Sequence, residues 1–248
     1  MNQIPDIYYD GSHKFNPCIF SPNAPYAIFF EQTKDVLFSD TDLYKRFIEN
    51  CIKNFRNMKV YTHYKGYLYD LGLDRCQILG NITNKMASIE MHHNGITIFD
   101  IAVCICNHLL NTIDRVTTFD VISHLRRVHT MNMVPLVMLC KTMHQLEHND
   151  DEFYVPVQMT FGDWSRFLEE YKYGITYGIS KKIKFWIEKS LQEQIDNCVL
   201  NAKCISLNEQ IRSWAEYNEC AFNNNSDNNT FYRANYNNNY LFPKQAFR

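Results

Sequence analysis

Two stretches decide how this chain reads: IEMHH at residues 89–93 and LVMLCKTMHQLEH at residues 136–148. In residues 87–92, Ala87, Ile89 and Met91 alternate with Ser88, Glu90 and His92. That two-residue period predicts a half-buried strand. The second stretch opens with the apolar run of residues 134–139, read as a buried strand. Pro135 within it cannot donate to a ladder and implies an edge or a bulge. From Thr142 onward a helix is expected, and it carries His144 and His148. Four residues of helix turn through roughly 400°, so these two imidazoles leave one face together.

That spacing suits two histidines on one metal ion, with His92 as a third ligand and open positions left for water or phosphate. Adjacent strand residues point to opposite faces. The strand must therefore break near His92 if His93 is to reach the same site, and Asn94-Gly95 is the turn expected to break it. A second arrangement stays open, in which all four clustered histidines close the coordination sphere of a structural ion. His108, His124 and His129 read as ordinary core or surface histidines, with His129 close enough in sequence to substitute as a ligand.

The ordered set resembles the HNH, or ββα-metal, nucleases. Their pattern is a strand ending in paired histidines, a second strand, then a helix carrying H-x3-H. The colicin-type DNases are the nearest analogue for the double histidine. The segments TIFDIA, VPLV and KTMHQLEHN also look like HNH-like proteins of large tailed phages. The resemblance covers about residues 64–161. It implies an α+β fold with an HNH-like ββα-metal core, a helical insertion and a helical C-terminal region. It further implies an endonuclease hydrolysing DNA phosphodiester bonds. His92, His144 and His148 would hold one divalent metal ion, and His93 would activate water. A histidine base fits, because its unperturbed pKa of about 6.5 lies near working pH. Three imidazoles favour Zn, Mn, Co or Ni over Mg. The family's orienting Asn falls at Pro135, and Asn132 is the nearest candidate. Of the CxxC pairs common in relatives, only Cys76 and Cys140 remain. A catalytically inactive HNH-like structural or protein-interaction module is the alternative.

The rest of the chain is organised around that core. Residues 1–58 form an N-terminal region without an assignable motif, in which residues 40–55 have a helical rhythm. Residues 60–71 alternate loosely, are rich in Tyr, and read as strand or hairpin. The HNH-like domain spans 59–160. Its insertion, 95–130, holds two helices opened by Thr97-Ile-Phe-Asp100 and Thr117-Thr-Phe-Asp120. In each, a Thr stands three residues before an acid, the chemistry of a helix cap. Residues 161–221 are expected to be helical, with helices over 161–173 and 183–200. The Asn- and Tyr-rich 222–248 should be disordered or fold on a protein partner.

The chain has 248 residues, 46% of them hydrophobic and 21% charged, which excludes a mostly disordered protein. A net charge of -2 provides no bulk basic field for nucleic acid, so binding to DNA would need a local patch. Arg126, Arg127 and Lys141 are the candidates for phosphate contact. Lys181, Lys182 and Lys184 form another basic cluster. For both groups a solvated face is the plain alternative. Nine cysteines without a CxxC pair read as reduced thiols, with Cys104 and Cys106 in the core. Apolar stretches too short for a bilayer and an N-terminus without a secretory pattern predict no membrane partner. They also predict a cytoplasmic location, that of an infected host cell for a phage-encoded chain.

Overall fold

The structure is a computed structural model that describes residues 31–149, 153–192 and 208–209. The expected helix end at 193–200 and the Asn/Tyr-rich tail lie outside the described residues. Element order is β1 (Glu31–Thr33), α1 (Lys34–Ser39), α2 (Thr41–Arg56), α3 (Lys59–Asp70) and β2 (Ile89–His93), followed by α4 (Ile98–Leu110) and β3 (Arg115–Thr117). Then come α5 (Thr118–Thr130), β4 (Leu136–Cys140), α6 (Lys141–Asn149), α7 (Trp164–Glu170) and α8 (Tyr177–Gln192), with short 3-10 turns at Val157–Met159 and Lys172–Gly174. The chain is α+β: helices with two small antiparallel sheets, β1 with β3 and β2 with β4.

The helix α4 is apolar nearly all round, and every residue from Ile98 to Asn107 is buried. Such a helix has no solvent face to offer and must sit inside the fold. It packs against α2, α5 and the 3-10 turn at Lys172–Gly174. Gly174 is what lets that turn come close: a Cβ there would stand 1.8 Å from the carbonyl oxygen of Cys104. Asn107, buried in α4, donates to the Gly174 carbonyl at 3.1 Å and accepts from the Tyr44 hydroxyl of α2. Burial pushes the Cys106 thiol up to about 12, in keeping with a core role.

Both Thr-Asp openings form full capping boxes. In α4 the Thr97 hydroxyl accepts from the Asp100 amide at 3.1 Å, and the Asp100 carboxylate accepts from the Thr97 amide at 2.9 Å. Thr117 and Asp120 repeat the pattern. Replacing Thr97 by Ala is expected to cost about 1 kcal/mol in chemical denaturation.

Residues 60–71 correct the strand expectation, since α3 is a helix. Tyr61, Tyr64 and Leu68 stand three and four residues apart, and Tyr64 and Leu68 are fully covered. The helical period outweighs the strand preference of tyrosine. Helix α8 begins at Tyr177, six residues earlier than expected.

Strands β2 and β4 pair from Ile89↔Cys140 to His93↔Leu136. Pro135 stands just before β4, where its missing N–H interrupts nothing, and its carbonyl accepts from the Asn94 amide at 3.0 Å. On its other side β4 touches Phe161 through reciprocal bonds with Leu136 of 2.9 and 2.7 Å. The turn after β2 is real: Gly95 has φ +75°, and a Cβ there would lie 2.2 Å from the Trp186 ring of α8.

Candidate metal centre

Glu90 and His92 are two residues apart on β2 and share one face of the strand. Helix α6 follows β4 without a loop and lies against both strands. His144 and His148 are one turn apart on it. As a result one ligand atom from each of His92, His144 and His148 lies within 4.8 Å of the other two. The Nε2 atoms of His144 and His148 are 3.1 Å apart. Two nitrogens on one tetrahedral ion at 2.0–2.1 Å would be separated by about 3.3 Å, so the spacing already fits.

Two carboxylates lie against the rings. His144 Nδ1 donates to Glu90 Oε2, which leaves its Nε2 lone pair facing the other histidines. Glu147 Oε2 lies 3.2 Å from His92 Nε2 and 3.5 Å from His148 Nδ1. A carboxylate on the nitrogen turned away from an ion, as Glu90 is on His144 Nδ1, orients an imidazole ligand and raises its basicity. Burial pushes the Glu147 carboxyl up, but the hydrogen bond from His92 and the nearby imidazoles outweigh it, and the net shift is downward. Burial holds the His148 imidazole below its ordinary range; Glu147 opposes this, while His92 and His144 add to it. His92 is buried, whereas the His148 side chain is 57% exposed. The cluster therefore opens to solvent on the helix side.

His93 is not brought to this cluster. The expected break does not occur: β2 stays paired through His93, and alternation sends its ring to the opposite face. There its Nε2 lies 3.0 Å from His129 Nε2. His129 Nδ1 donates to the Leu125 carbonyl at 2.7 Å, so His129 Nε2 accepts and His93 Nε2 donates. His129 is thus the partner of His93 and no substitute ligand. Phe55, Tyr61 and Tyr64 ring it, with the Phe55 centroid at 4.7 Å. Burial pushes His129 down to about 4; the Leu125 bond opposes this and Arg56 adds to it. His93 is held well below its ordinary range by burial, then by His129, Arg56 and His92.

A pH dependence follows. Unfolded His129 titrates near 6.5, above its folded value, so acid favours the unfolded chain. The stability it contributes is complete above about pH 6.5 and is lost as pH falls toward 4. The loss is on the order of 3 kcal/mol. Urea midpoints at pH 7 and pH 4.5 are expected to show this decline, and His129→Gln to flatten it.

The remaining expected site residues are placed elsewhere. Asn132 occupies a turn with φ 53°, a conformation Asn tolerates. Its Oδ1 accepts from the Tyr64 hydroxyl at 3.0 Å and its Nδ2 donates to Tyr67 at 3.4 Å. It links α3 to the end of α5. Arg127 makes a two-pronged pair with Glu170, one bond at 3.0 Å, and also donates to Tyr171. Arg126 and Lys141 are exposed.

Glu90 and Glu147 were not singled out from the sequence. The signals were present: Glu90 stands two residues before His92, and residues 144–148 read H-x-x-E-H, an arrangement that puts a carboxylate beside helical metal ligands.

A family model of bacteriophage G278-like virion proteins matches residues 23–212. The chain belongs to that family. The match includes β2, β4 and α6 in full, so the histidine cluster of this virion-family chain lies inside the shared region. No curated protein and no solved structure matches the chain. No helix among the described residues is long and apolar enough to cross a membrane.

Proposed function

We propose that this virion-family protein is a metal-binding component whose divalent ion is held by His92, His144 and His148. The observation that carries this reading is the convergence of three imidazole nitrogens within 4.8 Å, drawn from a strand and a helix distant in sequence. Carboxylates against the rings, Glu90 and Glu147, add to it. Nitrogen ligands of this kind select Zn, Co or Ni over Mg. The test is calorimetric titration of chelator-stripped protein with zinc and nickel. One ion per chain is expected, with protein unfolding shifted upward by mass action. Absence of stoichiometric binding would remove the reading.

A second reading is an HNH-like phosphodiesterase acting on DNA. It is favoured by the order of elements, an antiparallel strand pair followed directly by the histidine-bearing helix, and by the solvent-open side of the cluster. A bound ion would supply Lewis acidity toward a phosphoryl oxygen. His93 does not serve as the base in this reading, because its ring is committed to His129 on the far side of β2. The burial of His93 and the commitment of Asn132 to two tyrosines support instead an HNH-like module without cleavage. Plasmid incubation with Zn, Ni, Co, Mn and Mg separates them. Chelator-sensitive cutting that is lost in His92→Ala supports the enzyme, and intact plasmid under every ion supports the module.

A further inference from the structure

We propose that the outer face of α8, with the turn before it, is a binding surface for single-stranded nucleic acid, separate from the histidine cluster. The helix is fixed in orientation by its inner side. Trp186 is buried and donates from Nε1 to the Val155 carbonyl at 3.1 Å, and Lys182 reaches the buried Asp100 at 2.8 Å. What remains outside is a run of aromatic rings on the turn and the helix. Tyr177 is 72% exposed, Phe185 65%, and Tyr173 in the preceding turn 66%. Three large rings in water on one short segment are not a packing remnant; scattered single apolar residues are the norm on a surface.

Each ring has a lysine within about 6 Å. Lys172 Nζ, also paired with Glu169 at 2.7 Å, stands 5.5 Å from the Tyr173 centroid, Lys181 Nζ 5.1 Å from Tyr177, and Lys189 Nζ, which sits 4.0 Å over Tyr154, is 5.9 Å from Phe185. Of the four lysines on α8, Lys182 is taken by Asp100 on the inner side and Lys184 lies 3.7 Å from Glu188, the one acid of the helix, so Lys181 and Lys189 leave the outer face net positive on a chain that is net negative. Tyr177 and Phe185 are eight residues apart, about 12 Å along the helix, so successive rings can take separate bases. Exposed aromatics interleaved with lysines are the chemistry of single-strand binding: rings stack on unpaired bases and ammonium groups follow the phosphates. A protein partner fits less well, because lysine is depleted in protein interfaces. A duplex hides its base faces from such rings.

The test is fluorescence anisotropy of a labelled oligothymidylate with the full chain. Binding is expected at 50 mM salt and is expected to fall as salt rises. Tyr177→Ala with Phe185→Ala should weaken it about tenfold or more, with zinc stoichiometry unchanged. Lys181→Ala with Lys184→Ala should reduce the slope of log affinity against log salt by about 0.7 per lysine removed. The corresponding duplex should bind more weakly. No binding at 50 mM salt overturns the proposal, as does wild-type affinity in the double ring variant. A change in sedimentation of the ring variant with DNA affinity intact also overturns it, and assigns the face to protein contact.

Discussion

His144→Ala is expected to abolish stoichiometric zinc binding, with a loss of affinity beyond the roughly 10–100-fold typical of an outer-shell change. Three features make His144 the residue to remove. Its Nε2 is directed at His148 Nε2, 3.1 Å away. Its ring lies 4.9 Å from that of His92 and 4.7 Å from that of His148, centroid to centroid, so it faces both other histidines of the cluster. Its other nitrogen is held by Glu90, which fixes the tautomer and leaves one lone pair for an ion. Glu90→Gln gives the graded comparison: a neutral amide still accepts a bond but no longer holds Nδ1 with a charge. An affinity loss of about 10–100-fold is expected there. Since the His144 side chain is partly exposed, its removal should leave the fold nearly as stable as wild type. Equal zinc affinity in wild type and His144→Ala, measured by competition with a chromogenic chelator, would refute the assignment.

Gly174→Ala is expected to be the most damaging single methyl in the described chain. The added Cβ would lie 1.8 Å from the Cys104 carbonyl oxygen and 2.8 Å from the His108 amide nitrogen. Both are backbone atoms of a buried helix, so no side-chain rotation relieves the overlap. Relief requires moving the 3-10 turn away from α4, which breaks the Asn107 bond to the Gly174 carbonyl and leaves a buried amide unpaired. A loss of about 3–5 kcal/mol is expected. Circular dichroism during urea unfolding would show it as a lower midpoint with an unchanged slope. A change below about 1 kcal/mol would mean that the turn does not pack as described.

Much of the histidine cluster was readable along the chain. The H-x3-H spacing on a helix and the alternation before His92 both follow from local periods, and the structure places these three side chains together. The two Thr-Asp caps were equally local, because a capping box is completed within four residues. Reading failed where the deciding partner lay far away. Residues 60–71 carry strand-favouring tyrosines, yet Tyr64 and Leu68 bury on one helical face. His93 looked like the free neighbour of a ligand. His129, thirty-six positions onward, holds it on the other side of β2. Arg127 was a candidate phosphate contact beside a plain solvated face, and Glu170 pairs with its guanidinium. Glu90 and Glu147 gained meaning only once the rings they support had been located.

The sequence by itself therefore determined the mixed helical and strand content, the capped helices, and which histidines could share an ion, because each depends on spacing within a turn or a pleat. Only the tertiary structure decided which face of β2 looks toward α6, which charged groups are neutralised by distant partners, and that His93 is buried against His129. Those outcomes depend on contacts between residues far apart in the chain, whose geometry is set by how the buried helix α4 and the two small sheets pack.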